Sequence, residues 1–361
     1  MPIFMASESQ IELAAVKMDH WHCTEKEMQV PMQILDRSGG KFGPWDFDYL
    51  EVKTGTYKNI VKLPSFQSGD YRLRKINACS MNPMDDFIYC ACQVVHASNE
   101  KDYDNFLVRV GVVDYETHVA GMEFVAKVVK GGSHFAGVFD DEGHFFFGPG
   151  KLHYIKSLHK NPGKSFDNRY QVVDETKAPK WKVPQSCKGA DYAFYRHEDG
   201  GKARHFLWMI RDRKVSALEI TGLPKKKPEC RKFTAKGLPR KANGHFGAAW
   251  SFPKKDGSTT LYMSHNGGQG VFAIDKALLD LGSSTVVVYK AGESEKTSQN
   301  DGANCKHVQA ETPFEATPAP ELQQQLQELQ QAQQEPLKAE PPEPSPVQKD
   351  PALPETTAGP S

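Results

Sequence analysis

Three residues, His134, Asp191 and His245, have the type and spacing to build a polar site. His134 and His245 open matching segments, Ser133-His134-Phe135-Ala136-Gly137 and Gly244-His245-Phe246-Gly247-Ala248. Asp191 stands near the matching place in Gly189-Ala190-Asp191-Tyr192-Ala193. If these segments are the innermost strands of a ring of repeats, their first residues converge on one mouth of a central channel, where a small molecule or a divalent cation could be held. The competing and preferred reading is structural: a His or Asp at a strand end hydrogen-bonds to neighbouring repeats, as buried polar groups must in any fold.

Other clusters are thinner. His20-Trp21-His22-Cys23 puts two imidazoles on one face of an extended chain, half of a zinc or copper site that needs further ligands from elsewhere. Cys90-Ala91-Cys92 lacks the two-residue spacer of a zinc knuckle and reads as a strand with both thiols on one side. Cys79 and Cys90 could face each other across a hairpin and bridge in an oxidising compartment, although two free buried thiols are the preferred reading. Seven cysteines, odd in number and widely spread, do not resemble a dense disulfide framework. No Gly-x-Ser-x-Gly, P-loop, His-Glu-x-x-His or EF-hand pattern occurs, so the sequence names no catalytic residue and no cofactor beyond that divalent cation.

The elements that would position these residues are strands. Runs rich in aromatic and β-branched residues alternate with Gly, Asn and Asp turns, and helical periodicity is almost absent before residue 310. A unit recurs: a small-residue strand, an acidic or Asp-Gly turn, then an aromatic strand. Ile76-Asn77-Ala78 leads to Phe87-Ile88-Tyr89, and Ala136-Gly137-Val138-Phe139 leads through Asp140-Asp141-Glu142-Gly143 to Phe145-Phe146-Phe147. Ala190-Asp191-Tyr192 leads to Phe206-Leu207-Trp208, and Phe246-Gly247-Ala248 leads to Leu261-Tyr262-Met263. Such recurrence predicts an all-β, β-propeller-like repeat domain over 40–305 with five to seven blades, and a core that includes Phe87, Tyr89, Phe146, Trp208, Trp250 and Tyr262. Residues 1–39 read as an N-terminal segment that could supply an outer strand.

Three segments also resemble a family of uncharacterised, propeller-like domains of unknown function, found mainly in predicted secreted or surface proteins of microbes. They are Asn77-Ala78 with Asn82-Pro83-Met84-Asp85-Asp86-Phe87-Ile88-Tyr89, Phe246-Gly247-Ala248 with Leu261-Tyr262-Met263-Ser264-His265-Asn266-Gly267, and Asn300-Asp301-Gly302-Ala303-Asn304-Cys305. The resemblance implies a propeller and an extracellular setting, and it brings no activity with it. The last segment reads as a turn that closes the ring of repeats.

After Lys306 the composition shifts to Pro, Gln, Glu and Ala. Such a segment cannot bury enough apolar surface to offset its ordering entropy, so 306–361 is expected to be a disordered tail. Leu322, Leu326 and Leu329 predict one short amphipathic helix near 321–334, too brief for a stable coiled coil on its own. From Glu311 onward nine acidic residues face two lysines, whereas residues 225–241 hold eight basic residues against one acid, so the two stretches are expected to attract weakly. Formal net charge is zero, which gives no argument for nucleic acid as a partner. No run of apolar residues is long enough for a transmembrane helix, and the first residues carry Glu8 and Glu12 rather than a basic head and apolar stretch. As written the chain reads as cytoplasmic, and by the resemblance as extracellular. The functional expectation is a non-catalytic binding or interaction scaffold for a protein or glycan partner, its oligomeric state left open. The alternative is a metal-dependent hydrolase of the six-bladed lactonase type.

Overall fold

The structure is a computed structural model that describes residues 18–24, 28, 30–36, 42–63, 67–68, 71–96, 98–128, 135–158, 180–253, 259–275, 281–297 and 300–306. Among them, hairpins form wherever the sequence supplies residues that tolerate a left-handed backbone. The pairs Gly200-Gly201 and Asp212-Arg213 all have positive φ and make two-residue turns whose twist matches that of the flanking strands. Repetition of this meander gives five blades.

The first blade holds β1 (Met32–Asp36), β2 (Trp45–Glu51) and β3 (Thr56–Lys62), with β22 (Asn300–Ala303) inside β1. The second holds β5 (Tyr71–Met81), β6 (Ile88–His96), β7 (Asn99–Asp114) and β8 (Val119–Val128), with the short β4 (Gln67–Ser68) beside β5. A single parallel pair, Lys62 with Val119, joins these two blades into one sheet. The third contains β9 (Gly137–Phe139), β10 (Phe145–Phe147), β11 (Lys151–Ile155) and β12 (Lys180–Lys182). The fourth contains β13 (Ala193–Asp199), β14 (Lys202–Arg211), β15 (Lys214–Glu219) and β16 (Glu229–Lys236), with β20 (Thr285–Val287) added in parallel to β16. The fifth contains β17 (Phe246–Pro253), β18 (Thr259–His265), β19 (Val271–Asp275) and β21 (Tyr289–Gly292).

The innermost strands β22, β5, β9, β13 and β17 meet in a closed ring, each touching the next. Because β22 comes from the end of the body and β1 from its start, their antiparallel pairing closes that ring. Asn300-Asp301-Gly302-Ala303 is thus a strand, where the sequence suggested a turn. β1 is second from the axis in its blade, so the propeller begins before residue 40.

Alternation along each strand points one set of side chains at each neighbouring blade, and five apolar layers result. Tyr89, Phe146, Trp208, Trp250 and Tyr262 are buried in them as expected, while Phe87 is only half-buried at the edge of its layer. Trp250 packs between the fifth and first blades and donates its indole N–H to the Met32 carbonyl at 2.9 Å.

Six cysteines are paired, which corrects the preference for free thiols. Cys79–Cys90 pins β5 to β6, and Cys187–Cys230 ties the turn Gln185–Cys187 to β16. Cys23–Cys305 links chain segments 282 residues apart. Cys92 alone is free, and burial pushes its thiol up, which keeps it protonated and inert. No α-helix occurs among the described residues, so the coiled-coil expectation finds no support there. The short helix near 321–334 and the rest of the tail lie outside the described residues.

Two outcomes follow for stability. Trp250→Ala empties a buried aromatic site and should cost about 3 to 5 kcal/mol in urea unfolding; a loss below about 1 kcal/mol would place that strand outside the core. Cys23→Ser removes the cross-link that closes the longest loop and should cost about 2 to 5 kcal/mol, read as a lowered urea midpoint.

Candidate functional site

The axis is where small residues let five strands approach, and glycine is required there. A Cβ on Gly137 would overlap the Ala78 carbonyl of the second blade, and one on Gly302 would fall within 2.5 Å of the Ala249 carbonyl oxygen of the fifth. So close an approach leaves backbone amides facing inward without strand partners. A buried N–H needs an acceptor.

Asp191 supplies it. Its Oδ2 accepts from the amides of Ala249 at 2.8 Å and Gly302 at 3.2 Å, and its Oδ1 accepts from Tyr192 at 2.7 Å. The Gly137 amide also favours its charged form. One carboxyl group therefore draws on the third, fourth, fifth and first blades. Asp301, on β22, faces the Ala78 and Cys79 amides of the second blade, although neither of its oxygens makes a hydrogen bond of full geometry. Both side chains are almost wholly buried, at 2% and 1% exposure. Burial pushes both carboxyls well above the usual carboxylate range, and the negative charge of Asp191 raises Asp301 further.

The structure brings together only part of the expected trio. Asp191 lies at the axis, but His245 is exposed and bridges Arg211 through its backbone, and His134 lies outside the described residues. Of the other expected cluster, His20 and His22 have ring centroids 5.7 Å apart, with the Asp19 carboxyl 3.0 Å from His20 Nδ1 and 3.9 Å from His22 Nε2. Cys23, however, is bonded to Cys305 and offers no thiolate, so it is corrected from ligand to cross-link. Among the described residues no group of three or more His, Cys, Asp or Glu side chains is placed to hold a metal ion.

A second ionisable cluster, missed by sequence reasoning, occupies the other mouth, where β9 and β22 end. Asp140 follows β9, and its Oδ1 accepts from the amides of Glu142 and His144, both at 2.9 Å, and meets His144 Nδ1 at 3.2 Å. That arrangement leaves Oδ2 out of these bonds. The His144 ring stacks on Tyr154 at 5.5 Å, and its Nε2 is 3.9 Å from Oε2 of Glu142, whose side chain is 69% exposed. Lys306, three residues beyond β22, donates to the Phe139 carbonyl and lies 5.5 Å from the Phe194 ring. Burial raises the Asp140 carboxyl against the opposing pull of the His144 and Glu142 amides and of the His144 and Lys306 charges. Burial also lowers the Lys306 amine to about 8. Asp140-Asp141-Glu142-Gly143 was legible only as a turn; the signal beyond that was a histidine directly after it.

No family model matches the chain, and no curated protein matches it. Solved structures similar to it include a GH43 glycoside hydrolase engineered to display both endo-xylanase and exo-arabinofuranosidase activity (15% identity over 69% of this chain, TM-score 0.38). This chain spans 48% of that protein. A GH43 β-1,3-galactosidase with galactodeoxynojirimycin shares 6% identity over 70% of this chain and 92% of its own, with a TM-score of 0.36. A quinonprotein alcohol dehydrogenase-like protein from Bacteroides thetaiotaomicron VPI-5482 shares 9% identity over 76% of this chain and 78% of its own, with a TM-score of 0.30. The expected non-catalytic binding scaffold is withdrawn in favour of the acid pair at the mouth where β9 and β22 end; neighbours at such scores supply no function, substrate or mechanism. The lactonase reading falls on geometry, because the axial carboxyls point at backbone amides rather than converging on a cation.

The axial pair gives a sharp test. Asp191→Asn turns an NH2 toward amides that need an acceptor and should destabilise the fold by about 3 to 5 kcal/mol. Asp301 behaves differently. Its folded pKa is raised, so its contribution is fully present below the unfolded carboxylate range near about 4 and is lost as pH rises through the folded value. Asp301→Asn should therefore flatten the decline in urea midpoint as pH rises above the unfolded carboxylate range, and an unchanged slope would remove the paired charge as its cause.

Proposed function

We propose that the chain is a glycoside-cleaving enzyme that uses two carboxyls in unlike settings, Asp140 and Glu142, at the mouth of the propeller where β9 and β22 end. The observation that carries this reading is the contrast between them: Asp140 is buried with its carboxyl pushed up, while Glu142 is open to solvent beside it. Hydrolysis of a glycosidic bond needs one group that holds a proton for the leaving oxygen and one that assists attack at the sugar carbon. Asp140 suits the first role, since Oδ1 is fixed by amides and His144 and Oδ2 is left to carry the proton. Glu142 suits the second. His144, stacked on Tyr154, acts as a positioning residue that holds both carboxyls.

Three disulfides favour an oxidising compartment as the working site, where extracellular glycans are met. Membership in the propeller-like family that the sequence resembles belongs to the same proposal. Its three motif segments contribute to the inner strands β5, β17 and β22, which the close axial approach constrains most.

The test is a panel of aryl glycosides and soluble polysaccharides. Asp140→Asn and Glu142→Gln should each lower kcat/KM by about 10²- to 10⁴-fold, with folding intact. Activity should fall as pH rises through the Asp140 value, because the acid form is the active one. Lys306→Met removes a positive charge that lowers Asp140, so it should move that alkaline limb to higher pH. Full activity in both carboxyl variants, or an alkaline limb unmoved by Lys306→Met, would overturn the assignment.

A further inference from the structure

We propose that the outer part of the fourth blade, around β16, is a docking surface for an anionic polysaccharide, bound through a field of lysines. This surface is separate from the acid pair at the axial mouth and does not rest on it. Between Lys225 and Lys241 the chain carries eight basic residues and one acid, although the whole molecule is neutral. The fold explains how they stay unneutralised. Gly222, with φ of 83°, starts a turn in which the Lys225 and Lys226 amides both donate to the Gly222 carbonyl, so Lys225, Lys226 and Lys227 are presented together and exposed. The chain then enters β16, the outer strand of its antiparallel meander.

On β16, Phe233 is buried toward the fifth blade, whereas Lys232, Thr234 and Lys236 alternate on the opposite side and are exposed. Exposed Lys214 pairs across from Thr234 and fills the gap between the two lysines. Same-side residues on a strand repeat at about 6.8 Å, so Lys232 and Lys236 are about 14 Å apart with Lys214 between them. Beyond the strand, buried Leu238 and Ala242 anchor a loop that leaves Arg240 and Lys241 outside. The carboxyl of Glu219 is taken by Arg204 and Arg231. Among the described residues, none of Lys225, Lys226, Lys227, Lys232, Lys236, Arg240 or Lys241 forms an ion pair.

The chemistry selects the partner. Flexible ammonium groups spread along the outer part of a blade suit a linear polymer of sulfates or carboxylates, whose binding is governed by counterion release rather than by shape. Nucleic acid fits less well, since among the described residues no exposed aromatic ring accompanies the lysines on which a base could stack. The same strand is held by the Cys187–Cys230 disulfide, so it folds under oxidising conditions, where sulfated and uronic-acid polysaccharides are the abundant linear polyanions.

The experiment uses the full chain and heparin as the probe, with neutral dextran and a DNA duplex of equal charge alongside. Lys225→Gln, Lys226→Gln, Lys227→Gln, Lys232→Gln and Lys236→Gln are combined in one variant. A control combines Lys53→Gln, Lys62→Gln, Lys101→Gln, Lys151→Gln and Lys156→Gln on other blades. The fourth-blade variant should lose at least about tenfold in heparin affinity at low salt and show a shallower dependence of affinity on salt, while the control changes by less than about twofold. Equal losses in the two variants, or no preference of the wild type for heparin over dextran, would overturn the docking surface. Tighter binding of the DNA duplex than of heparin would overturn the polysaccharide as its occupant. All ten lysines lie on strands or turns at the surface, so unchanged melting temperatures keep the comparison free of folding effects.

Discussion

One carboxyl group carries the topology. Asp191 accepts amide protons from the fifth and first blades, is drawn on by the third, and belongs to the chain entering the fourth. Strands at the centre of a ring have no lateral ladder to one another, so their inward amides would otherwise be buried and unpaired, a cost of about 1 to 3 kcal/mol each. A carboxylate is suited to the task because it only accepts, and it does so through two oxygens. An amide or hydroxyl side chain would bring donors of its own to a place already crowded with them.

That solution creates a second constraint. A charge at the centre of a dry core is expensive, and Asp301 adds another beside it. The fold offsets the first with amides and relieves the second by favouring a proton on Asp301, whose carboxyl is pushed up by burial and by the Asp191 charge. Closure then depends on covalent and apolar contributions from elsewhere. β22 on β1, the indole of Trp250 on the Met32 carbonyl and the Cys23–Cys305 bridge all act between the first blade and the end of the body. They lie on the side of the ring that has no continuous chain to hold it.

The repeat was legible because its cause is local. A small-residue strand, a left-handed turn and an aromatic strand announce themselves in sequence, and they recur because each blade faces the same crowding at the axis. The ring closure was half legible: Asn300-Asp301-Gly302 was marked as closing the ring, but its strand pairing with β1 joins residues too far apart for any local pattern to show. The same distance hid Asp191's role, since its partners Ala249 and Gly302 are 58 and 111 residues away. His245 was legible as the opening of an inner strand, but its direction was not. Its position in the repeat matches a mouth residue, yet a side chain at the start of a strand has no pleat to fix its direction, and here it is exposed. Cys79 and Cys90 were legible as facing each other across a hairpin, but an odd number of cysteines spread over many residues hid the other two bridges.

The packing that seals the axis also decides where chemistry can occur. Gly137 against Ala78 and Gly302 against Ala249 bring backbones so close that a Cβ cannot enter, so the central carboxyls are shut away from any substrate. Ionisable groups that meet solvent must therefore stand where the inner strands diverge. At the end of β9 the chain leaves the axis through Asp140, turns over its own amides and returns through His144; at the end of β22 it leaves through Asn304 and Cys305 to Lys306. The bridge at Cys305 holds Lys306 against β9, because a backbone tied to Cys23 cannot swing its lysine free. The disulfide that closes the ring thus also sets an amine near 8 beside a carboxyl raised by burial.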